Sequence, residues 1–404
     1  MRPRLPAGVW VLGFVSMLAD VASEMVHSLL PLFLVGTLGV SVLAVGVIEG
    51  IAEATALIVK VFSGALSDRL GRRKGLALAG YTLGALTKPF FALATGVGLV
   101  IAARFVDRVG KGIRGAPRDA LLADITPGGL RGAAFGLRQS LDTVGAVLGP
   151  LLATALMLAW ANDIRAVFWV AVVPGLMAAL LLWVGVHEPV RAARAPDEAD
   201  APARNPIRRE ALARLGAGYW RIVALGAVFT LARFSEAFLV LRAPQVGMAM
   251  AWVPLVMVAM SVVYAASAYP FGKLGDTVSR PALLAGSLAV LIAADLVLAA
   301  AADAAGLLLG VALWGVHMGM SQGLLGAMVA DSAPADLRGT AFGVFNLFSG
   351  LAMLAASVIA GALWQGFGAA ATFHAGAAFA AVTLAALAFD HRHRAHHAHD
   401  ARRD

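Results

Sequence analysis

Long apolar segments occupy most of this 404-residue chain. A helix that spans the hydrocarbon core of a bilayer needs about 20 mostly apolar residues, and roughly twelve segments meet that requirement. Because 60% of the residues are hydrophobic, a water-soluble fold would leave more apolar surface than a core could bury. The alternation of polar and apolar positions that is typical of membrane β-barrels is not seen. The sequence therefore predicts an all-α polytopic membrane protein with twelve transmembrane helices.

The predicted helices fall into two pseudo-symmetric bundles of six. Between the sixth and seventh helices lies a charged segment, rich in proline, alanine and arginine, that cannot span a bilayer. We therefore predict an N-terminal bundle over residues 1–186, a cytoplasmic linker over 187–218, a C-terminal bundle over 219–390 and a His/Arg-rich cytoplasmic tail over 391–404. The helices are placed at residues 9–35, 43–66, 75–94, 97–115, 130–158, 164–186, 219–242, 249–271, 281–302, 306–330, 338–363 and 367–389.

The net charge of +8 does not indicate nucleic-acid binding, because the basic residues are concentrated in alternate predicted loops. Residues 69–74 and 114–131 hold two of these clusters, and such clusters mark cytoplasmic loops of membrane proteins. We therefore expect a bacterial inner-membrane protein with both termini in the cytoplasm. No small-residue cleavage site follows the basic N-terminal flank, so the first helix is expected to be retained. Cysteine is absent, which excludes disulfides and thiol chemistry.

The two halves are related in sequence. LADITPGGLRGAAFG, which contains Asp124 and Arg131, recurs as VADSAPADLRGTAFG, which contains Asp331 and Arg338; the offset is 331 minus 124, or 207. GALSDRLGRR from Gly64 is echoed by GKLGDTVSR from Gly272, at an offset of 208. Parallel six-helix repeats are typical of secondary transporters that bind solute between the two halves.

Several motifs resemble those of the major facilitator superfamily. Residues 64–74 fit its loop signature G-x-x-x-D-R-x-G-R-R-K, and Arg108-Val-Gly-Lys111-Gly112 is similar to its R-x-x-q-G element, with lysine in place of glutamine. Helix 5 has the spacing of Gly136, Gly145, Gly149 and Pro150 that is associated with proton-driven exporters, although Ala153 and Thr154 replace its final glycine pair. The resemblance implies a transporter fold and proton-coupled export.

The signature loop is expected to act as a breakable latch between the two halves. In this interpretation Asp68 accepts hydrogen bonds from the other half when one face of the membrane is closed. The alternative is ordinary anchoring by positive charge, which explains Arg72 but not Gly64. Gly145, Gly149 and Pro150 allow either close packing or a bend. The candidate gating residues are Gly64, Asp68, Arg69, Gly71, Arg72, Arg73, Asp124, Arg131, Gly145, Gly149, Pro150, Asp276, Asp331 and Arg338.

Ionisable residues within the predicted helices are candidates for proton or substrate coupling, because burying them in a membrane is costly. Helix 1 places two carboxylates and a histidine on one face, where they could share protons. In helix 2 we expect Glu49 near the outer end and Glu53 deeper, and the basic stripe of helix 4 either pairs with these acids or binds an anionic group of the solute. The candidates are Asp20, Glu24, His27, Glu49, Glu53, Arg104, Asp107, Arg108, Lys111, Arg138, Asp142, Arg233 and Glu236, with Lys88 as a further possibility.

These features predict a monomeric, proton-coupled exporter of a small organic solute, bound between helices 1, 4, 7 and 10. Two alternatives within transport are uptake and the efflux of divalent nickel or cobalt, which the five histidines of the tail could bind. A membrane-embedded sensor without transport is the alternative from another class. No phosphate-binding loop and no H-E-x-x-H or G-x-S-x-G motif occurs, so neither an enzyme, a cofactor, a resident metal nor ATP drive is expected.

Overall fold

The structure of the chain is a computed structural model that describes residues 5–70, 72–188, 212–275, 277–321, 323–334 and 337–400, and within them all side chains except those of 68–69 and 389–400. These residues form helices and no strands, and ten helices are long and apolar enough to cross a membrane. The fold class is therefore confirmed as all-α and polytopic. The helices are α1 (Ala7–His27, continued by Leu30–Leu32 and Phe33–Thr37), α2 (Val42–Leu70), α3 (Arg73–Leu93), α4 (Val97–Ile125), α5 (Arg131–Ala159), α6 (Ile164–Gly185), α7a (Ala217–Leu231), α7b (Ala237–Gln245), α8 (Leu255–Leu274), α9 (Arg280–Ala300), α10a (Ala304–Ser321), α10b (Leu324–Ser332), α11 (Arg338–Phe367) and α12 (Ala369–Asp400).

Helix α4 carries too many charges to be counted among the ten apolar spans, and it is longer than the sequence predicts. The prediction ended it at residue 115, but it continues to Ile125. We expected Arg114 and Arg118 in a basic loop, but both lie within this helix. Each side chain has a partner inside the bundle. The Arg114 guanidinium stacks over the Tyr81 ring at 4.7 Å, and Arg118 pairs with Asp119 at 3.0 Å.

The seventh predicted helix is interrupted. Residues 232–236 separate α7a from α7b, so the continuous helix predicted over 219–242 is wrong. Side-chain oxygens take up the backbone N–H groups that the break leaves free: Ser357 Oγ accepts from the Ser235 N–H at 3.3 Å, and Ser235 Oγ accepts from the Ala237 N–H at 3.3 Å. Non-helical backbone is tolerated within a membrane where it is buried in protein or lines a cavity.

The halves meet along α2 and α11, where small residues allow close approach. A Cβ on Gly361 would lie 2.9 Å from Leu43 Cα, and one on Gly50 would lie 3.1 Å from Leu354 Cα. We call the side of the bundle where α1 begins the terminal face, and the side where the turns at 38–41 and 160–163 lie the opposite face. Toward the opposite face, α7b packs against residues 30–32, and its Phe238 is fully buried.

Helix α5 packs on α1 through its glycines, which is the first of the two alternatives left open for the helix-5 pattern. A Cβ on Gly149 would lie 2.8 Å from Val21 O and 2.9 Å from Glu24 Cβ. We therefore expect Gly149→Leu to lower the free energy of unfolding by about 3 kcal/mol or more, because overpacking against a backbone carbonyl cannot be relieved by a side-chain rotation. Thermal unfolding of the purified protein measures the change.

The matched control for this substitution is Gly136→Leu in the same helix, where a Cβ would meet nothing within 4 Å. We expect that variant to unfold within a few degrees of the unsubstituted protein. Equal midpoints for the two leucine variants would show that the close contact at Gly149 does not hold α1 and α5 together.

Candidate functional site

A cavity of about 240 Å³ lies between the two halves, lined by α1, α2 and α4 on one side and by the α7 break, α10a and α11 on the other. A cavity of this volume suits a small solute. Phe234, Ser235, Trp314 and Met353 contribute to its wall. The remaining lining residues are titratable, and all of them were candidates from the sequence: Glu24, His27, Glu53, Arg108, Lys111, Arg233 and Glu236.

A buried ion-pair network lies beside the cavity in the N-terminal half. Arg104 Nη2 donates to Glu49 Oε2 at 2.6 Å and lies 2.9 Å from His27 Nδ1. Glu49 is 0% exposed and Arg104 is 2% exposed. The expected solvation of Glu49 is therefore wrong, although the residue does lie near the start of α2. The helix-4 arginine gives this carboxylate a partner, and a buried charge requires one.

The helix-4 stripe is largely neutralised within the bundle. Lys88 Nζ lies 2.9 Å from Asp107 Oδ1, and Arg108 Nη2 lies 3.2 Å from Asp107 Oδ2. Glu53 Oε1 accepts from Arg108 Nη1 at 3.2 Å, so Glu53 joins this network to the cavity wall. Of the two interpretations of the stripe, ion pairing accounts for Arg104, Asp107 and Arg108.

Three charged groups on the cavity wall have no such partner. Within the part of the chain that the structure describes, Glu24, Lys111 and Arg233 form no salt bridge within 4.0 Å. The Arg233 guanidinium lies instead 5.9 Å from the centre of the Phe229 ring. Groups of both signs are therefore free to bind a solute in this cavity.

His27 links the network to the cavity and one half to the other. Its Nδ1 faces Arg104, and its Nε2 lies 3.9 Å from Glu236 Oε2, which belongs to the α7 break of the C-terminal half. A change of charge on this histidine would therefore act on both halves. The predicted grouping of Glu24 and His27 at one site is consistent with this geometry.

A second polar cluster lies outside the cavity, nearer the terminal face. Arg138 pairs with Asp142, four residues along the same helix, at 2.5 Å, and Arg118 Nη1 donates to Ser16 Oγ at 3.2 Å. Asp20 is not among the cavity residues; it lies against α5, where a Cβ on Gly145 would be 3.0 Å from Asp20 Cβ. The structure thus separates Asp20, Arg138 and Asp142 from the residues that line the cavity.

The candidate gating residues form matching ion pairs within each half. Arg73 Nη1 lies 2.8 Å from Asp124 Oδ2, and Arg280 pairs with Asp331. The two acids are 207 positions apart, and so are the two arginines (280 minus 73). Arg280 is therefore the counterpart of Arg73, whereas the offset of 208 read from the glycines would match it with Arg72.

Other gating candidates have varied positions. Gly64 faces α4, where a Cβ on this glycine would lie 3.4 Å from Ala116 Cβ. Arg72 and Arg131 are exposed, and Arg338 Nε donates to Ala330 O at 3.2 Å. Pro150 is buried within α5. Gly71, Asp276 and the side chains of Asp68 and Arg69 lie outside the described residues, so the latch between halves stays a prediction.

The metal-efflux alternative came from the histidines of the tail. Among the described side chains, no group of three or more His, Cys, Asp or Glu residues could hold a metal ion. The histidines of the tail lie outside the described side chains. Sequence reasoning did not name Phe234, Ser235, Trp314 or Met353 as cavity residues. The dipeptide Ser-Glu occurs at both 23–24 and 235–236, and this pair is a signal that could have pointed to Ser235.

Comparisons with known proteins agree with this architecture. The family model described as Major Facilitator Superfamily matches residues 12–255 and again residues 243–404. A protein of Methanocaldococcus jannaschii described as an uncharacterized MFS-type transporter is 31% identical over 369 residues, which cover 89% of each chain. The multidrug resistance protein MdtH of Photorhabdus laumondii is 30% identical over 182 residues, 45% of this chain and 44% of that protein. Among solved structures, the nucleoside transporter NupG superposes with a TM-score of 0.77 at 13% identity, covering 94% of this chain and 98% of the other. The chain is thus a member of the major facilitator superfamily, a family of multi-pass membrane transporters.

Proposed function

We propose that this transporter exports a small organic zwitterion in exchange for protons, by alternating access of the central cavity. The observation that carries the proposal is the presence of unpaired charges of both signs on a small cavity between the two halves. Lys111 and Arg233 offer cationic groups, and Glu24 offers a carboxylate. Burying an unpaired charge is costly unless a ligand of opposite charge binds to it. A solute with one anionic and one cationic group provides a partner for the cationic side chains and for the carboxylate.

The cavity distributes these groups between the halves, which suits transport. Glu24 and Lys111 belong to the N-terminal half, and Arg233 to the C-terminal half. A zwitterion that bridges them draws the halves together and favours the state in which the cavity is closed to both faces. Uniformly apolar walls would offer no such directional interaction. Trp314 and Met353 give an apolar surface for the rest of the solute.

Glu24 is the group that binds the proton exchanged for the solute. An ionised Glu24 binds the cationic group of the solute, and a proton on the same carboxyl removes that attraction. Solute and proton therefore compete for one site, which is what an exchanger requires. His27, between Arg104 and Glu236, carries the resulting change of charge to both halves.

Export is favoured over uptake by two observations. The glycine and proline spacing of helix 5 resembles that of proton-driven exporters, and the half-chain similarity includes a protein named for multidrug resistance. The basic loops favour a cytoplasmic position of both termini. We also propose that the chain acts as a monomer in a bacterial inner membrane.

Flux into liposomes tests the proposal. The purified chain is reconstituted, a pH gradient is imposed, and radiolabelled zwitterions, organic anions, organic cations and neutral compounds of matched size are scored for accumulation. We expect gradient-driven flux of zwitterions and little of the other classes. Flux of divalent nickel or cobalt alone would support the metal alternative and contradict the proposal. Absence of flux for every class in folded protein would favour a sensor.

A further inference from the structure

The C-terminal half contains a buried carboxyl group that the transport site does not use. Asp295 of α9 is 0% exposed, and neither of its carboxyl oxygens has a hydrogen-bond partner among the described residues. Its neighbours one turn away on the same helix, Leu291 and Leu298, are also fully buried and apolar. A carboxylate inside a helix in such surroundings has nothing to offset the loss of its hydration.

Asp295 lies directly behind the cavity wall. A Cβ on Gly376 of α12 would be 2.6 Å from Asp295 Oδ2 and 2.9 Å from Phe234 Cε1, so the carboxyl group and the Phe234 ring share the space left by that glycine. Phe234 belongs to the α7 break and lines the cavity. Its ring also packs against Trp314 at 5.3 Å between centroids. One aromatic side chain therefore separates the carboxyl group from the cavity.

No charged side chain on the packed elements neutralises Asp295 within the part of the chain that the structure describes. Helix α9 packs mainly against α10a and α12 and touches α10b. His317 of α10a bonds through Nδ1 to the Ser287 carbonyl, about two turns along α9 from Asp295, and His374 of α12 is exposed. Asp331 of α10b pairs with Arg280 at the other end of α9. The α7 break contributes Arg233 and Glu236, and neither bonds to Asp295.

We propose that Asp295 is a second proton-binding site of this transporter, closed off from the cavity by the Phe234 side chain. The ligand is a proton rather than a metal ion, because a hard metal cation takes several oxygen ligands, whereas a proton needs one carboxyl oxygen. When the α7 break rearranges and Phe234 moves aside, the carboxyl O–H releases its proton to water in the cavity and leaves a carboxylate. In the described arrangement the group is protonated and neutral. The site goes beyond the proposed function, because it lies in the other half from Glu24 and does not line the cavity.

Infrared spectroscopy of the reconstituted full chain tests whether Asp295 is protonated. The spectrum of the Asp295→Asn variant is subtracted from that of the unsubstituted protein. We expect a carbonyl band of a protonated carboxylic acid at neutral pH that is lost in Asp295→Asn. Asparagine resembles a neutral aspartic acid, so this variant should unfold at the same temperature as the unsubstituted protein. Asp303→Asn, an exposed acid in the turn after α9, is the matched control and should leave the band unchanged. Retention of the band in Asp295→Asn, or its loss on adding sodium but not potassium, would overturn the proposal.

The rate at which the carboxyl proton of Asp295 exchanges for deuterium, followed by the shift of the same band, tests the role of Phe234. We expect Phe234→Ala to speed exchange of the carboxyl proton by roughly tenfold or more, because opening toward the cavity no longer needs movement of the ring. Phe238→Ala is the control, since the Phe238 ring lies 5.6 Å from the Phe234 ring between centroids but does not line the cavity. Equal exchange rates in the two variants would show that Phe234 does not close Asp295 off from the cavity. Neither measurement needs a solute, so failure of the liposome experiment would leave this result standing.

Discussion

Arg104→Met is expected to destabilise the folded protein by about 3 to 5 kcal/mol, the cost of removing one partner of a buried ion pair. The substitution leaves Glu49, which is 0% exposed, without the guanidinium that lies 2.6 Å from it. It also removes the 2.9 Å contact to His27. Thermal unfolding of the detergent-purified protein, followed by intrinsic fluorescence, measures the loss.

Two further variants show whether the unpaired carboxylate causes the loss. The double variant Arg104→Met with Glu49→Leu should recover much of the stability, because both charges are then replaced by apolar groups. Arg280→Met is the matched single control. Its pairing with Asp331 joins exposed side chains, and we expect a cost of about 1 kcal/mol or less. If Arg104→Met and Arg280→Met were equally stable, the buried network would not support the fold.

Glu24→Gln is expected to abolish proton-driven accumulation of the solute while leaving the protein folded. A gradient of one pH unit supplies about 1.4 kcal/mol per proton. With one proton exchanged at Glu24, the concentration ratio at that gradient should fall from roughly tenfold to equality. Exchange of labelled for unlabelled solute should persist only at higher solute concentrations, because glutamine lacks the charge that binds the cationic group, while Lys111 and Arg233 still bind the anionic group. Accumulation and exchange are measured in the same liposomes.

We choose Glu24 rather than Glu53 as the proton-coupling site because of the contacts that the two carboxylates make. Glu53 is paired with Arg108 at 3.2 Å, whereas Glu24 has no salt bridge among the described residues. Glu53→Gln should therefore reduce flux, by freeing Arg108, without removing its dependence on the gradient. Asp20→Asn, one turn before Glu24 but outside the cavity, is the matched control. Full gradient-driven accumulation by Glu24→Gln would reject the coupling site.

Much of the site could be predicted from residue type alone. All seven titratable residues that line the cavity were candidates, because an ionisable side chain in an apolar helix needs a reason to be there. Their separation into groups could not be predicted. Asp20 and Glu24 are one turn apart on α1, yet Asp20 lies against Gly145 and Glu24 lines the cavity. Helical spacing fixes which side chains share a face, but not which neighbouring helix that face meets.

The depth of a residue in the bundle was equally inaccessible. Glu49 was expected to be solvated because it lies near the outer end of its helix, but it is buried and paired with Arg104 from α4. The break in α7 has no hydropathy signal either. It is stabilised by hydrogen bonds that involve Ser357, 122 positions from Ser235. Both features depend on residues that are distant in the sequence.

The amino-acid sequence by itself determined the membrane environment, the all-α fold, the repeat between the halves and the residue types available for coupling, because hydrophobicity, charge placement and repetition are properties of local segments. Tertiary structure alone decided which charges are paired and which face the cavity. It also decided where Phe234 lies in relation to Asp295. A buried charge is stable or reactive according to the atoms within a few ångströms of it, and those atoms come from other helices.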